Sequence, residues 1–187
     1  MTLLAPVAFL VGLMGIGGSS SAKPANGITA FVDVSVLPMD REQVLLHQTI
    51  IVRNGVIVRI GPAVNAHVPR GAKIISGQGR WLTPGLVDMH THVDNPADFP
   101  LLLASGVTTT LNMGGASEAY VGPIRRDIRA GRIAGPEPLL AFKIDGPGDV
   151  GGTSVVPASA AEARSAVRRA KLEQYDYLKI EPSGFRS

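Results

Sequence analysis

Residues 81–94 read WLTPGLVDMHTHVD, and this stretch limits the possible folds more than any other. A Pro84-Gly85 turn releases an apolar run, and the run ends in two histidines one residue apart. On a strand the side-chain period is two, so the pattern places Leu86, Asp88, His90 and His92 on one face. Val87, Met89 and Thr91 then face the other way. Two imidazoles at adjacent same-side positions near a strand's C-terminal end can grip one metal ion, each through one ring nitrogen. A His-x-His pair alone is a weak signal, because surface and core histidines are common. A buried apolar strand, however, rarely closes on two histidines and an aspartate without a reason.

After His92 the chain alternates between helix and strand. Residues 96–104 form a short helical segment, and residues 107–113 a threonine-rich strand closed by Gly114-Gly115. Gly122-Pro123 opens a helix, with proline in its first turn, that runs to about Ala130 and stops at Gly131. Residues 138–144 make a third strand, followed by a glycine- and proline-rich loop over 145–157. Ser159 with Glu162 three residues on is a capping box for a helix reaching about Gln174. Residues 175–181 make a fourth strand. This rhythm means a parallel sheet with crossover helices, an α/β architecture. By itself it leaves a doubly wound sheet and a (β/α)8 barrel both open.

Upstream, from Ile28 to Ile75, the pattern is β. Phe31, Val32, Val34, Val36 and Leu37 make one strand ending at Pro38. TIIVRNGVIVRIGP is two β-branched runs joined by Asn54-Gly55, the strongest short hairpin signal. Residues 73–76 add a short strand. His47 and His67 sit in polar or loop-like surroundings and are assigned to the surface.

The run from Gly79 to His92, with its Thr-Pro-Gly-Leu-Val-Asp-x-His-x-His core, resembles the first barrel strand of the amidohydrolase superfamily. Within it the chain is most similar to the branch of imidazolonepropionase-like and Xaa-Pro-dipeptidase-like metallohydrolases. The resemblance covers nearly everything after residue 27 and favours the barrel. The implied architecture is the N-terminal part of a β-sandwich over 23–84, then the first half of a TIM-like barrel over 85–187, with four βα-type units. A full barrel takes ~250 residues. The sandwich of such enzymes serves as scaffold and is completed by C-terminal strands that this sequence does not contain.

The resemblance makes His90 and His92 ligands of the more buried metal, expected to be Zn²⁺, with one or two divalent ions in the site. Asp88 lies deeper and is read as an orienting or structural group. Asp94 precedes Asn95-Pro96, so a turn or cap role is expected for it. In the fourth strand, alternation puts Tyr177 and Lys179 on one face and Leu178 and Ile180 on the other. A barrel packs apolar residues against its helices, so Lys179 should point inward. A lone lysine at a strand end is ordinarily a snorkelling surface group. The Tyr-Leu-Lys-Ile segment, though, resembles the fourth strand of this branch, whose lysine is carboxylated by CO₂ and bridges two metals. That chemistry needs a neutral amine, which burial promotes.

The family pattern also needs histidines on the fifth and sixth strands and an aspartate on the eighth as general base. The sequence has 4 histidines, and none follows His92. The expected activity, hydrolysis of an amide, lactam or dipeptide C–N bond by metal-activated water, is therefore not expected of this chain alone, which contains no catalytic base. The rival expectations are a non-catalytic remnant, a scaffold or binding module, or one half of a split enzyme. Unpaired edges on the first and fourth barrel strands favour self-association.

Composition narrows the partners. With 45% apolar and 18% charged residues among 187, the chain can build a core and is not expected to be disordered. The net charge of +3 is mild. Arg125, Arg126, Arg129, Arg132, Arg164, Arg168 and Arg169 fall at helix-like spacings and read as solvated helix faces, which argues against a nucleic-acid site. The absence of cysteine excludes disulfides, a cysteine nucleophile and thiolate metal sites. Residues 3–18 form an apolar, glycine-interrupted segment shorter than a membrane span, and Ser20 and Ala22 fit a cleavage site. The reading is a signal peptide over 1–22, cut after Ala22, with export to the periplasm or outside and no stable membrane span afterwards. The segment has no lysine or arginine before its apolar run, so an uncleaved anchor and a misassigned start stay open. No role follows for Glu118, Tyr120 or Asp149.

Overall fold

The computed structural model describes residues 27–93, 95–114, 117–147 and 154–181. The chain divides between Gly85 and Leu86 into two compact units. The signal-peptide segment, Asp94 and Asp149 lie outside the described residues.

The first unit is a mixed five-stranded sheet: β1 (Ile28–Val36), β2 (Leu45–Arg53), β3 (Val56–Pro62), β4 (Lys73–Ser76) and β5 (Trp81–Leu82), in the order β3-β2-β1-β4 with β5 also on β1. Asn54 and Gly55 both take positive φ, 50° and 82°, as a tight two-residue hairpin turn requires. β1 is less regular than its sequence suggests. Between Phe31 and Val34 it advances one residue more than β2, and between Val34 and Val36 it advances one fewer. The extra residues are Asp33 and His47, both at positive φ, 57° and 51°. Such a slip moves side chains to the opposite face. Accordingly Ile28 and Ala30 pack with Ile51, whereas Val34 and Val36 pack with Ile50 and Leu82. His47 is on the surface as expected, its Nδ1 2.7 Å from Asp33 Oδ1.

The second unit is a parallel four-stranded sheet in the order β6-β7-β8-β9: β6 (Leu86–Thr91), β7 (Val107–Asn112), β8 (Glu137–Asp145) and β9 (Tyr177–Glu181). Helices α1 (Asp98–Ala104), α2 (Glu118–Arg129) and α3 (Ala160–Leu172) connect them. This is the parallel α/β arrangement that the alternation implied, in the half-barrel form that the resemblance implied. Phe142 and Ile144 of β8 pack on Ala166 and Ala170 of α3, small residues that let the helix lie close. Leu140 packs on Val121 of α2. The intervening Lys143 therefore faces away from the helices. Ser159 caps α3 by accepting from the Glu162 amide at 3.2 Å, while the Glu162 carboxylate accepts from Ala158 N at 2.9 Å. No helix among the described residues is long and apolar enough to cross a membrane.

Two sequence expectations fail around α2. The helix starts at Glu118, capped by Ser117, and Pro123 lies inside it. Tertiary bonds hold the extra turn against the proline's cost. The Glu118 amide donates to Tyr175 Oη at 3.3 Å, and the Glu118 carboxylate accepts from Arg125 at 2.9 Å. Gly122 leaves room for that carboxylate, since a Cβ there would lie 2.5 Å from Glu118 Oε1. Arg125 is consequently not on a solvated face. Its side chain is 8% exposed and also reaches Asp176 Oδ2 at 3.3 Å. Asp176 in turn accepts from the Leu140 amide at 2.9 Å, which ties α2 to the turn entering β9. Glu118, without a role in the sequence, thus has a structural one.

Removing Arg125 strands two partly buried carboxylates. Arg125→Met is expected to destabilise the second unit by about 3 kcal/mol in urea unfolding. The same substitution with Glu118→Gln and Asp176→Asn also in place should cost clearly less.

Candidate metal site

β6 runs against β7 with two register breaks, one of them between Asp88 and Thr91. Asp88 pairs with Thr110 and Thr91 with Asn112, so strict alternation does not hold between Asp88 and the histidines. The Asp88 carboxylate accepts from the His90 amide on its own strand at 3.1 Å. His90 and His92 come together: their ring centroids are 5.4 Å apart and tilted by 56°. Both are exposed. His92 Nδ1 lies 3.0 Å from the Gly114 carbonyl. A carbonyl can only accept, so in the neutral ring the proton sits on Nδ1 and the lone pair on Nε2.

Lys179 stands on β9, the opposite edge of the sheet from β6. It is the register partner of Lys143, and Asp145 is the register partner of Glu181. Since Lys143 faces away from α3, so does Lys179, whose side chain is 15% exposed. Two lysines and, two residues further on, two carboxylates thus form a square at the strand ends. Lys143 Nζ is 2.8 Å from Asp145 Oδ2 and 3.2 Å from Glu181 Oε2, and Lys179 Nζ is 3.4 Å from Glu181 Oε2. Asp145 is fully buried and also accepts from the Gly146 amide at 2.7 Å. The sequence reading missed Lys143 and Asp145. The signal was available: residues 142–145, Phe-Lys-Ile-Asp, repeat the apolar-Lys-Ile-acid pattern of residues 178–181.

Among the described residues no three histidine, aspartate or glutamate side chains converge on a possible cation position. The two imidazoles fit part of a Zn²⁺ shell, with the His92 tautomer suited to it.

The hydrogen bond from Lys143 holds the Glu181 carboxyl below its ordinary range, and the charges of Lys143 and Lys179 act in the same direction. A carboxyl depressed on folding contributes stability above its unfolded pKa and loses it as pH falls through the folded value. An NMR titration should therefore give Glu181 a midpoint below that of an unperturbed glutamate, and Lys143→Met should move the midpoint upward. An unchanged midpoint would remove the Lys143–Glu181 pair.

No protein-family model matches the chain. Imidazolonepropionase of Methylobacterium nodulans is 33% identical over 93 residues, 48% of this chain and 22% of that enzyme. A chain described as a prolidase of Bifidobacterium longum superposes with a TM-score of 0.73 at 26% identity, covering 87% of this chain and 42% of that one. A Xaa-Pro dipeptidase with methionine bound in its active site shares the fold, with a TM-score of 0.63 at 21% identity over 82% of this chain and 46% of its own. The chain thus spans about a fifth of that curated relative and less than half of these solved chains. Over the region these alignments cover, the chain is similar to imidazolonepropionase and to prolidase, and it corresponds to part of those longer chains.

Proposed function

We propose that this chain is the N-terminal part of a metal-dependent amidohydrolase that cleaves a C–N bond in a small amide, lactam or dipeptide. The observation that carries the reading is the histidine pair at the C-terminal end of β6, side by side and with His92 Nδ1 already engaged by a carbonyl. His90 and His92 would hold a divalent cation, expected to be Zn²⁺, and Lys179 would serve a second one once carboxylated. A bound cation of this kind polarises a carbonyl and lowers the pKa of water. The chain's own part is to hold ligands in place. Lys179 sits beside a carboxylate already engaged by Lys143, so its amine is less firmly paired than that of Lys143.

The exposed edges give a second reading. β6 exposes Leu86, Val87 and Met89, and β9 exposes Tyr177, Leu178 and Ile180. Apolar side chains along unpaired strands suit association with a separate polypeptide supplying further strands, as in a split enzyme, or with a second copy. We also propose export through a signal peptide cleaved after Ala22; a mature N-terminus upstream of that residue would sink this.

Zinc titration of the purified chain, followed on the imidazole resonances, tests the main reading. His90 and His92 should shift together, and His90→Ala or His92→Ala should weaken binding by more than the ~10–100-fold that losing an outer partner costs. With Zn²⁺ and bicarbonate the chain alone should leave dipeptides and lactams uncleaved. Zinc binding that ignores both substitutions would overturn the metal assignment, and turnover would overturn the dependence on further residues.

A further inference from the structure

The end of β7 grips the histidine segment residue by residue. Met113 N donates to the Thr91 carbonyl at 2.9 Å, and Thr91 Oγ1 donates to the Leu111 carbonyl at 3.1 Å. The His92 ring donates to the Gly114 carbonyl at 3.0 Å, and Asn112 Nδ2 donates to the Val93 carbonyl at 2.8 Å. The backbone on both sides of His92 and its imidazole are all held by residues 111–114.

Asn112 is a costly way to make one of these bonds. It is 4% exposed, and its Oδ1 has no hydrogen-bond partner among the described residues. An apolar residue would avoid that desolvation penalty. What an apolar residue cannot do is hold the Val93 carbonyl. Gly114 is equally specific. Its φ of 112° disfavours any side chain, and a Cβ there would lie 3.3 Å from Lys143 Cδ. The Lys143 stem thus lies against Gly114, while its ammonium is fixed by Asp145 and Glu181. The side chain packed on the Cβ side of Gly114 is thus held at its far end.

We propose that Asn112, Gly114 and Lys143 are positioning residues for His92: they select Nε2 as the nitrogen presented to a divalent cation and fix the ring before any cation arrives. The presentation to a cation rests on the metal reading above; the selection of the tautomer does not. None of the three would touch the cation. Each acts through His92, and preorganisation of this kind lowers the ordering cost of binding.

Long-range ¹H–¹⁵N NMR of the metal-free chain, at a pH where imidazole is neutral, reads the tautomer directly. With 4 histidines in the chain, single His→Gln variants assign the signals. His92 should carry its proton on Nδ1, the reverse of the preference of free histidine. A wild-type His92 protonated on Nε2 overturns the proposal without recourse to any positioning variant. Asn112→Leu and Lys143→Ala should turn His92 into a tautomer mixture and weaken Zn²⁺ binding about 10–100-fold. Lys143→Arg, which keeps stem and charge, should preserve both. A folded Asn112→Leu or Lys143→Ala protein with unchanged His92 removes that residue from the device. The expected tautomer with no response to Zn²⁺ would take away the metal reading and leave the positioning intact.

Discussion

Helices α2 and α3 pack on one face of the β6–β9 sheet, and this one-sided cover decides where the charged groups of β8 and β9 must go. Leu140, Phe142 and Ile144 take the helix side and pack on α2 and α3. The alternate positions are left for Lys143 and Asp145, and the register carries Lys179 and Glu181 to the same side. A lysine among apolar neighbours on the helix side would be desolvated without a partner. On the other side, at the strand ends, two lysines and two carboxylates neutralise one another within 2.8 to 3.4 Å. The period of two therefore does more than build a core. It sorts the chain into a packing surface and a chemical surface.

The Arg125 network supports that sorting from the helix side. Arg125, Glu118, Asp176 and Tyr175 join the first turn of α2 to the turn that leads into β9. The Asp176 bond to the Leu140 amide adds β8 to the same network. Buried ion pairs contribute little to net stability, but removing one partner of such a pair is costly. Here the network ties the turn entering β9 to β8 just ahead of the row where Lys179 pairs with Lys143.

Much of this was legible in the sequence because the signals were local. Asn54-Gly55, the Ser159–Glu162 box and the strand–helix rhythm each depend on residues close in the chain, and each element stands within a few residues of where the pattern put it. What escaped was non-local. The α2 start depends on Tyr175, 57 positions away from Glu118. The burial of Arg125 depends on Asp176. The bulges at Asp33 and His47 exist only as a relation between two strands, and the register break beside Asp88 has the same character. Lys143 is a different case. Its pattern matched that of residues 178–181, but a lysine read singly has a snorkelling explanation, and only the paired register makes the repeat meaningful.

The candidate ligands stand at edge strands, His90 on β6 with His92 just past its end, and Lys179 on β9. Three interstrand spacings of ~4.8 Å make about 14 Å of sheet between them if it were flat. A cation bridging both sides would need them much closer than that. Curvature can supply the difference, and in a barrel curvature is set by strand number and stagger around the whole ring. The two sides are nevertheless connected within this half: His92 to the Gly114 carbonyl, Gly114 against the Lys143 stem, Lys143 to Glu181, and Glu181 to Lys179. Each link crosses one strand boundary or stays on one strand. The orientation of each candidate ligand is thus built locally, by its neighbouring strand, whereas the distance between them would be set by the closure of a barrel. Orientation and separation are therefore separable, and four strands suffice to hold the orientation of each candidate ligand without bringing them to one centre.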